Sequence, residues 1–266
     1  IKSLVKNFDI SDVCKIDNLK KILTDSDDII KKHYKNLTFE ETQIYRKNSK
    51  DLNCKRHFKV FNKFNIIPKF CFSCFKVQIN LKSVIDLIRL FFIFDNINLE
   101  KNNIRKCIVE LRNNVKGNYK GYIYCDGLNE AKKIKEKVND QIIKEKFQNY
   151  KIEIKHGCTE YYKSYPKFQN INLNGEQEVI YNKSWEANEK LIDKLEPSRL
   201  ELDKKVWVES MRGINLSDIL IIKNWINYAY FIGDESYKKV YDKEINETFM
   251  NNVLQNQLNF RMNDLK

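Results

Sequence analysis

Cys54-Lys55-Arg56-His57 is followed, after 13 residues, by Cys71-Phe72-Ser73-Cys74. Each pair is spaced by two residues, and two such pairs can grip one tetrahedral ion from two chain segments, because thiolate and imidazole suit zinc. Cys54, His57, Cys71 and Cys74 are therefore a candidate zinc site. A second reading stands beside it, in which Cys71 and Cys74 are small core residues, a frequent role for cysteine. The aromatic run around them reads as a strand, where residues three apart face opposite ways, so a shared site requires the strand to start later. An iron–sulfur variant would draw on Cys71, Cys74, Cys107, Cys125 or Cys158.

Two further groups combine reactive types. His156-Gly157-Cys158-Thr159-Glu160 offers a thiol with a base and a carboxylate near it in sequence. Asp234-Glu235-Ser236 offers two carboxylates, with helix capping by Asp234 or Ser236 as the plainer role. The chain contains no phosphate-cradling glycine loop and no His-Glu-x-x-His.

The elements that must position these residues follow from periodicity. Phe70–Ile79 alternates like a strand, Ser83–Phe94 is an apolar helix, and Ile104–Arg112 is a second strand. Lys120–Cys125 is a third strand, Asn129–Ile143 an amphipathic helix and Tyr150–Lys155 a fourth strand. The order β-α-β-β-α-β predicts an α+β fold: a ferredoxin-like antiparallel sheet with both helices on one face. Residues 1–68 read as a helical N-terminal segment, 69–157 as the sheet domain and 158–266 as a mainly helical C-terminal segment. In the first, Ser11 and Thr38-Phe39-Glu40-Glu41 are candidate helix caps. Leu200–Val208 fits no single element. Ala131, Ile134, Val138 and Ile142 form one helical stripe, whereas Ser83–Phe94 is apolar nearly all round and requires a cover on its outer side.

Alternation turns Ile123 and Cys125 toward the helices and leaves Tyr122 and Tyr124 on the opposite face, with Lys76 and Lys106 from the neighbouring strands. Here Lys120-Gly121-Tyr122-Ile123-Tyr124-Cys125 resembles the third strand of the RNA-recognition motif, in Lys120, Gly121, Tyr122 and Tyr124. Leu128-Asn129-Glu130-Ala131 resembles the start of that family's second helix. The resemblance implies that the two tyrosines stack on unpaired bases while Lys120 meets the backbone.

The bulk properties agree with an anionic partner. The net charge is +12 and the isoelectric point about 9.2. Such a balance favours RNA or another polyanion, and a ribonucleoprotein or other assembly would add protein partners. No apolar run reaches the roughly 20 residues of a membrane span, and the first residues lack the apolar core of a signal peptide. Seven cysteines, an odd number, argue against a disulfide framework and for an intracellular, reducing compartment. The sequence thus predicts a nucleic-acid-binding module, with a Cys/His metal or redox protein and a structural subunit as the alternatives.

Overall fold

A computed structural model describes residues 15–33, 40–46, 52–112, 115–174, 177–195, 214–243, 245 and 247–263. Ser11, the Thr38-Phe39 part of the proposed cap and Leu200–Val208 lie outside the described residues. Five strands form one antiparallel sheet: β1 (Gln43–Arg46), β2 (Cys74–Leu81), β3 (Arg105–Val109), β4 (Tyr119–Asp126) and β5 (Lys151–His156). Their order across the sheet is β1-β3-β4-β2-β5. Seven α-helices are described: α1 (Ile16–His33), α2 (Cys54–Phe64), α3 (Val84–Asn96), α4 (Leu128–Lys144), α5 (Trp185–Leu195), α6 (Leu216–Phe231) and α7 (Glu247–Asn263). The architecture is α+β.

The pleat explains which residues face the helices. Phe75, Val77, Ile79 and Leu81 of β2 point the same way as Cys125, Ile123, Gly121 and Tyr119, their partners on β4. All but Gly121 join the principal buried cluster, together with Cys107 and Val109 of β3. The helix α4 lays its Ala131, Ile134, Val138 and Ile142 stripe against β2, β4 and β5. The helix α3 begins at Ser83, whose hydroxyl accepts from the Asp86 amide, and packs on β3 and β4. Its other side is covered by α6, so the cover required by its apolar circumference comes from the C-terminal segment.

Two features depart from the sequence expectation. The first strand begins at Cys74, because Lys69–Phe72 forms a 3-10 turn after Pro68, closed by the Cys71 amide donating to the Pro68 carbonyl at 2.9 Å. The segment before Pro68 also contributes a strand. β1 pairs with β3, with Ile44 opposite Cys107. Arg46 fastens this strand to two helices by ion pairs to Asp95 at 2.6 Å and Asp218 at 2.9 Å, all three side chains being buried. Trp225 of α6 donates from Nε1 to the Thr42 carbonyl at 2.8 Å. A second buried cluster of Ile67, Cys71, Tyr161 and Phe168 lies where β2 starts and β5 ends, with α2 and α5 beside it.

Candidate functional site

The sheet face away from α3 and α4 carries the sequence-predicted tyrosines and lysines in cross-strand rows. One row runs Tyr45, Lys106, Tyr122, Gln78 and Glu153 across all five strands. The next places Tyr124 opposite Lys76 and Lys76 opposite Lys155. Neighbouring strands lie about 4.8 Å apart, so the side chains of each row are cross-strand neighbours. Lys106 Nζ sits 5.3 Å from the Tyr45 ring centroid and 5.5 Å from that of Tyr122, and it donates to Gln43 Oε1 at 3.2 Å. Lys76 Nζ sits 5.6 Å from the Tyr124 ring centroid. Cation–aromatic contacts of this kind contribute about 0.5–1 kcal/mol where water reaches them.

The face is partly covered: Lys76, Tyr122 and Tyr124 are half-buried. Arg112 reaches Glu160 of the 3-10 turn Thr159–Lys163 at 3.4 Å, and Lys76 reaches Cys158 at 3.4 Å. Burial pushes both the Tyr122 and Tyr124 hydroxyls up. For Lys76, burial alone would lower the ammonium, but the neighbouring Cys158, Tyr124, Cys74 and Glu160 hold it well above the ordinary lysine value.

Lys120 does not take the role that the resemblance implied. Its side chain is 1% exposed and its ammonium pairs with Glu110 at 3.2 Å. Burial lowers its pKa, assisted by Lys155 and Arg112 and opposed by Glu110. Alternation puts Lys120 on the expected face, but in a row with Ile108, also buried, so no phosphate can reach it.

The four residues expected to hold zinc are spread over α2, the 3-10 turn and the start of β2. Cys71 sits in the 3-10 turn, its Sγ 3.2 Å from the Tyr161 hydroxyl. Cys74 opens β2, and its carbonyl accepts from the Gly157 amide at 2.8 Å, which brings Cys158 alongside. Cys54 is the first residue of α2. Phe58 and Phe61, one and two turns on, pack on Tyr161 with ring centroids 6.2 and 4.8 Å away. Residues four and seven apart share a helix face, so Cys54 heads the stripe directed at Tyr161. Burial pushes the Cys54 thiol up to about 12, reinforced by Cys158 and Cys74 and opposed by Lys76. Burial also pushes Cys71 up, with Cys158, Cys74 and Cys54 adding to it.

His57 instead stacks on Phe70, ring centroids 5.1 Å apart. Burial and the adjacent Arg56 charge lower its pKa to about 4. Among the described residues no three His, Cys, Asp or Glu side chains form a group ready to hold a metal ion. Cys107 and Cys125 lie on the helix side of the sheet, apart from the other thiols.

The remaining reactive types are structural. His156 Nδ1 lies 2.7 Å from the Phe168 carbonyl oxygen and Nε2 3.0 Å from that of Phe72, while its ring stacks on Phe75. With both nitrogens so engaged and Glu160 turned to Arg112, His156, Cys158 and Glu160 do not converge as a catalytic set. Asp234 accepts from the Ser236 amide, as expected of a cap, and also from the Val84 amide and the Tyr119 hydroxyl, each at 2.7 Å. Tyr45 escaped the sequence reading because a four-residue strand carries too little alternation to register. The iron–sulfur alternative groups Cys158 with Cys71 and Cys74, and pairing of β5 with β2 carries its segment beside Cys74.

No helix among the described residues is long and apolar enough to cross a membrane. Comparison with family models, curated proteins and solved structures finds no match to this chain.

Proposed function

We propose that this protein is a basic nucleic-acid-binding module that takes single-stranded RNA on the sheet face away from α3 and α4. The observation that carries the reading is the pairing of tyrosine with lysine across strands: Lys106 between Tyr45 and Tyr122, and Lys76 against Tyr124. Each aromatic ring can stack on an unpaired base, and each ammonium can turn to the phosphate beside it. Stacking on a base is worth about 1–3 kcal/mol, which exceeds the lysine–tyrosine contact it displaces. The net charge of +12 supports the same partner. In this reading the β2-α3-β3-β4-α4-β5 portion is a ferredoxin-like unit related to the RNA-recognition motif. The sheet order β5-β2-β4-β3 supports it, with β1 added beside β3. The protein then belongs in a ribonucleoprotein, with protein partners at its other surfaces.

The test is binding of single-stranded RNA at two salt concentrations by the native chain and by Tyr122→Ala/Tyr124→Ala. Removing two stacking platforms weakens binding at least about tenfold at both salts. Absence of affinity, or affinity that is indifferent to the two tyrosines, overturns the proposal.

A further inference from the structure

We infer that Glu153, held in place by Gln78 and Asn80, reads guanine in the RNA strand that stacks on Tyr122. The inference rests on the RNA-binding reading and deepens it, by naming the base that this face selects.

Placement is the first support. Glu153 lies in the same cross-strand row as Tyr122, with Gln78 of β2 between them. Its carboxylate is drawn toward that middle strand: Oε1 accepts from Gln78 Nε2 at 3.2 Å and from Asn80 Nδ2 at 3.1 Å. Gln78 also donates to Asn80 Oδ1 at 2.7 Å, so the two amides hold each other as well as the carboxylate. Strand spacing of about 4.8 Å puts Gln78 one step and Glu153 two steps from Tyr122. A purine stacked on that ring and extending across β2 brings its free edge to the carboxylate.

The chemistry of the acceptor is the second support. The rest of the row consists of tyrosines, a lysine and an amide. A carboxylate placed beside them repels phosphate, so it suits a base edge that donates rather than the RNA backbone. The two amides anchor Oε1, whereas Oε2 meets Lys151 at 2.7 Å, a side chain that is 73% exposed. Guanine carries two adjacent donors on its Watson–Crick edge, N1–H and the N2 amino group, which can take the place of that ammonium. Adenine and cytosine set a ring-nitrogen acceptor beside their one amino group, and uracil flanks its N–H with two carbonyl oxygens. Each of these turns a lone pair toward the carboxylate. Lys151, once displaced, can meet the adjoining phosphate, as can Lys155, which lies 3.8 Å from Oε1.

The experiment measures binding of the full chain to short uridine oligomers with one central guanosine, inosine, adenosine or cytidine, or uridine throughout. The guanosine oligomer is expected to bind about tenfold tighter than the adenosine, cytidine and uridine ones, as a two-point contact to a base edge gives. Inosine keeps N1–H and lacks the amino group, and should fall about threefold short of guanosine. These comparisons use the native chain and do not depend on the folding of a variant. Glu153→Gln brings the ratio of guanosine to uridine affinities close to one. Asn80→Ala, which removes one anchor, lowers the same ratio with the carboxylate still present. Equal affinities for all the oligomers, still weakened by Tyr122→Ala/Tyr124→Ala, overturn this inference and leave the RNA reading standing. Preference for another base, or a guanosine preference that Glu153→Gln leaves untouched, overturns it likewise. No affinity for any of them overturns both.

Discussion

The ammonium of Lys120 and the carboxylate of Glu110 meet 3.2 Å apart, each side chain 1% exposed, on the sheet face that also carries Tyr122 and Tyr124. Glu110 is held a second time by Arg112, at 2.8 Å. Removing one member of a buried pair costs more than the pair contributes, because the survivor is left charged and uncompensated. Glu110→Gln strands Lys120 and is expected to lower unfolding free energy by about 3 kcal/mol. Lys120→Met leaves Glu110 with Arg112 and costs about 1 kcal/mol. Urea denaturation separates the two, and Lys120→Met leaves RNA affinity unchanged at both salts.

Glu110 also sets an acid limit. Burial alone would raise its pKa, but Arg112 and Lys120 overcome burial and hold it at about 2, below the ordinary value of 4.5. A depressed carboxylate contributes stability that is fully present above its unfolded value and is lost as pH falls through its folded one. The native chain should therefore lose stability between about pH 4.5 and pH 2, and Glu110→Gln should show a shallower slope in that window. Equal slopes in stability-versus-pH curves would contradict the pairing.

His57 behaves in the same sense at higher pH. Burial, with the Arg56 charge, lowers its pKa from 6.5 to about 4, so the fold favours the neutral ring. Its contribution is complete above about pH 6.5 and falls away as pH drops toward 4. His57→Phe keeps the stacking on Phe70 and removes the titration. Its thermal midpoint should gain on the native chain's steadily from pH 7 to pH 4.5.

Gly121 is required by close approach. A Cβ there would lie 2.4 Å from Leu90 Cδ2 and 3.0 Å from Phe94 Cζ, both on α3. Gly121→Ala is expected to cost about 1–3 kcal/mol in chemical denaturation, because α3 must move away from the sheet.

Arg46 should be still less replaceable. It lies between Asp95 and Asp218 and over the Phe91 ring at 4.6 Å. Arg46→Met leaves two buried carboxylates without their shared cation, for an expected loss of about 3–5 kcal/mol by urea denaturation. Asp218 retains its capping contact with Asn215, which keeps the start of α6 in place.

Several of these residues were readable in advance and others were not. Gly121 stood out as part of a short signature, but only the nearness of Leu90 explains it. The stripe on α4 and the inward Ile123 and Cys125 followed from helix and strand periods. The strand β1, the burial of Lys120 and the stacking of His57 on Phe70 followed from no local pattern.

The amino-acid sequence by itself determined which side chains share a face, because pleat and helical repeat are set by bonds between near neighbours. It thereby determined that tyrosines and lysines line one side of the sheet and apolar groups the other. Tertiary structure decided what lies over that side. Lys76 meets Cys158 across 82 residues of chain, and Arg112 meets Glu160 across 48. Such meetings depend on β5 pairing with β2 and on the turn that follows it, relations between distant segments that no local period encodes.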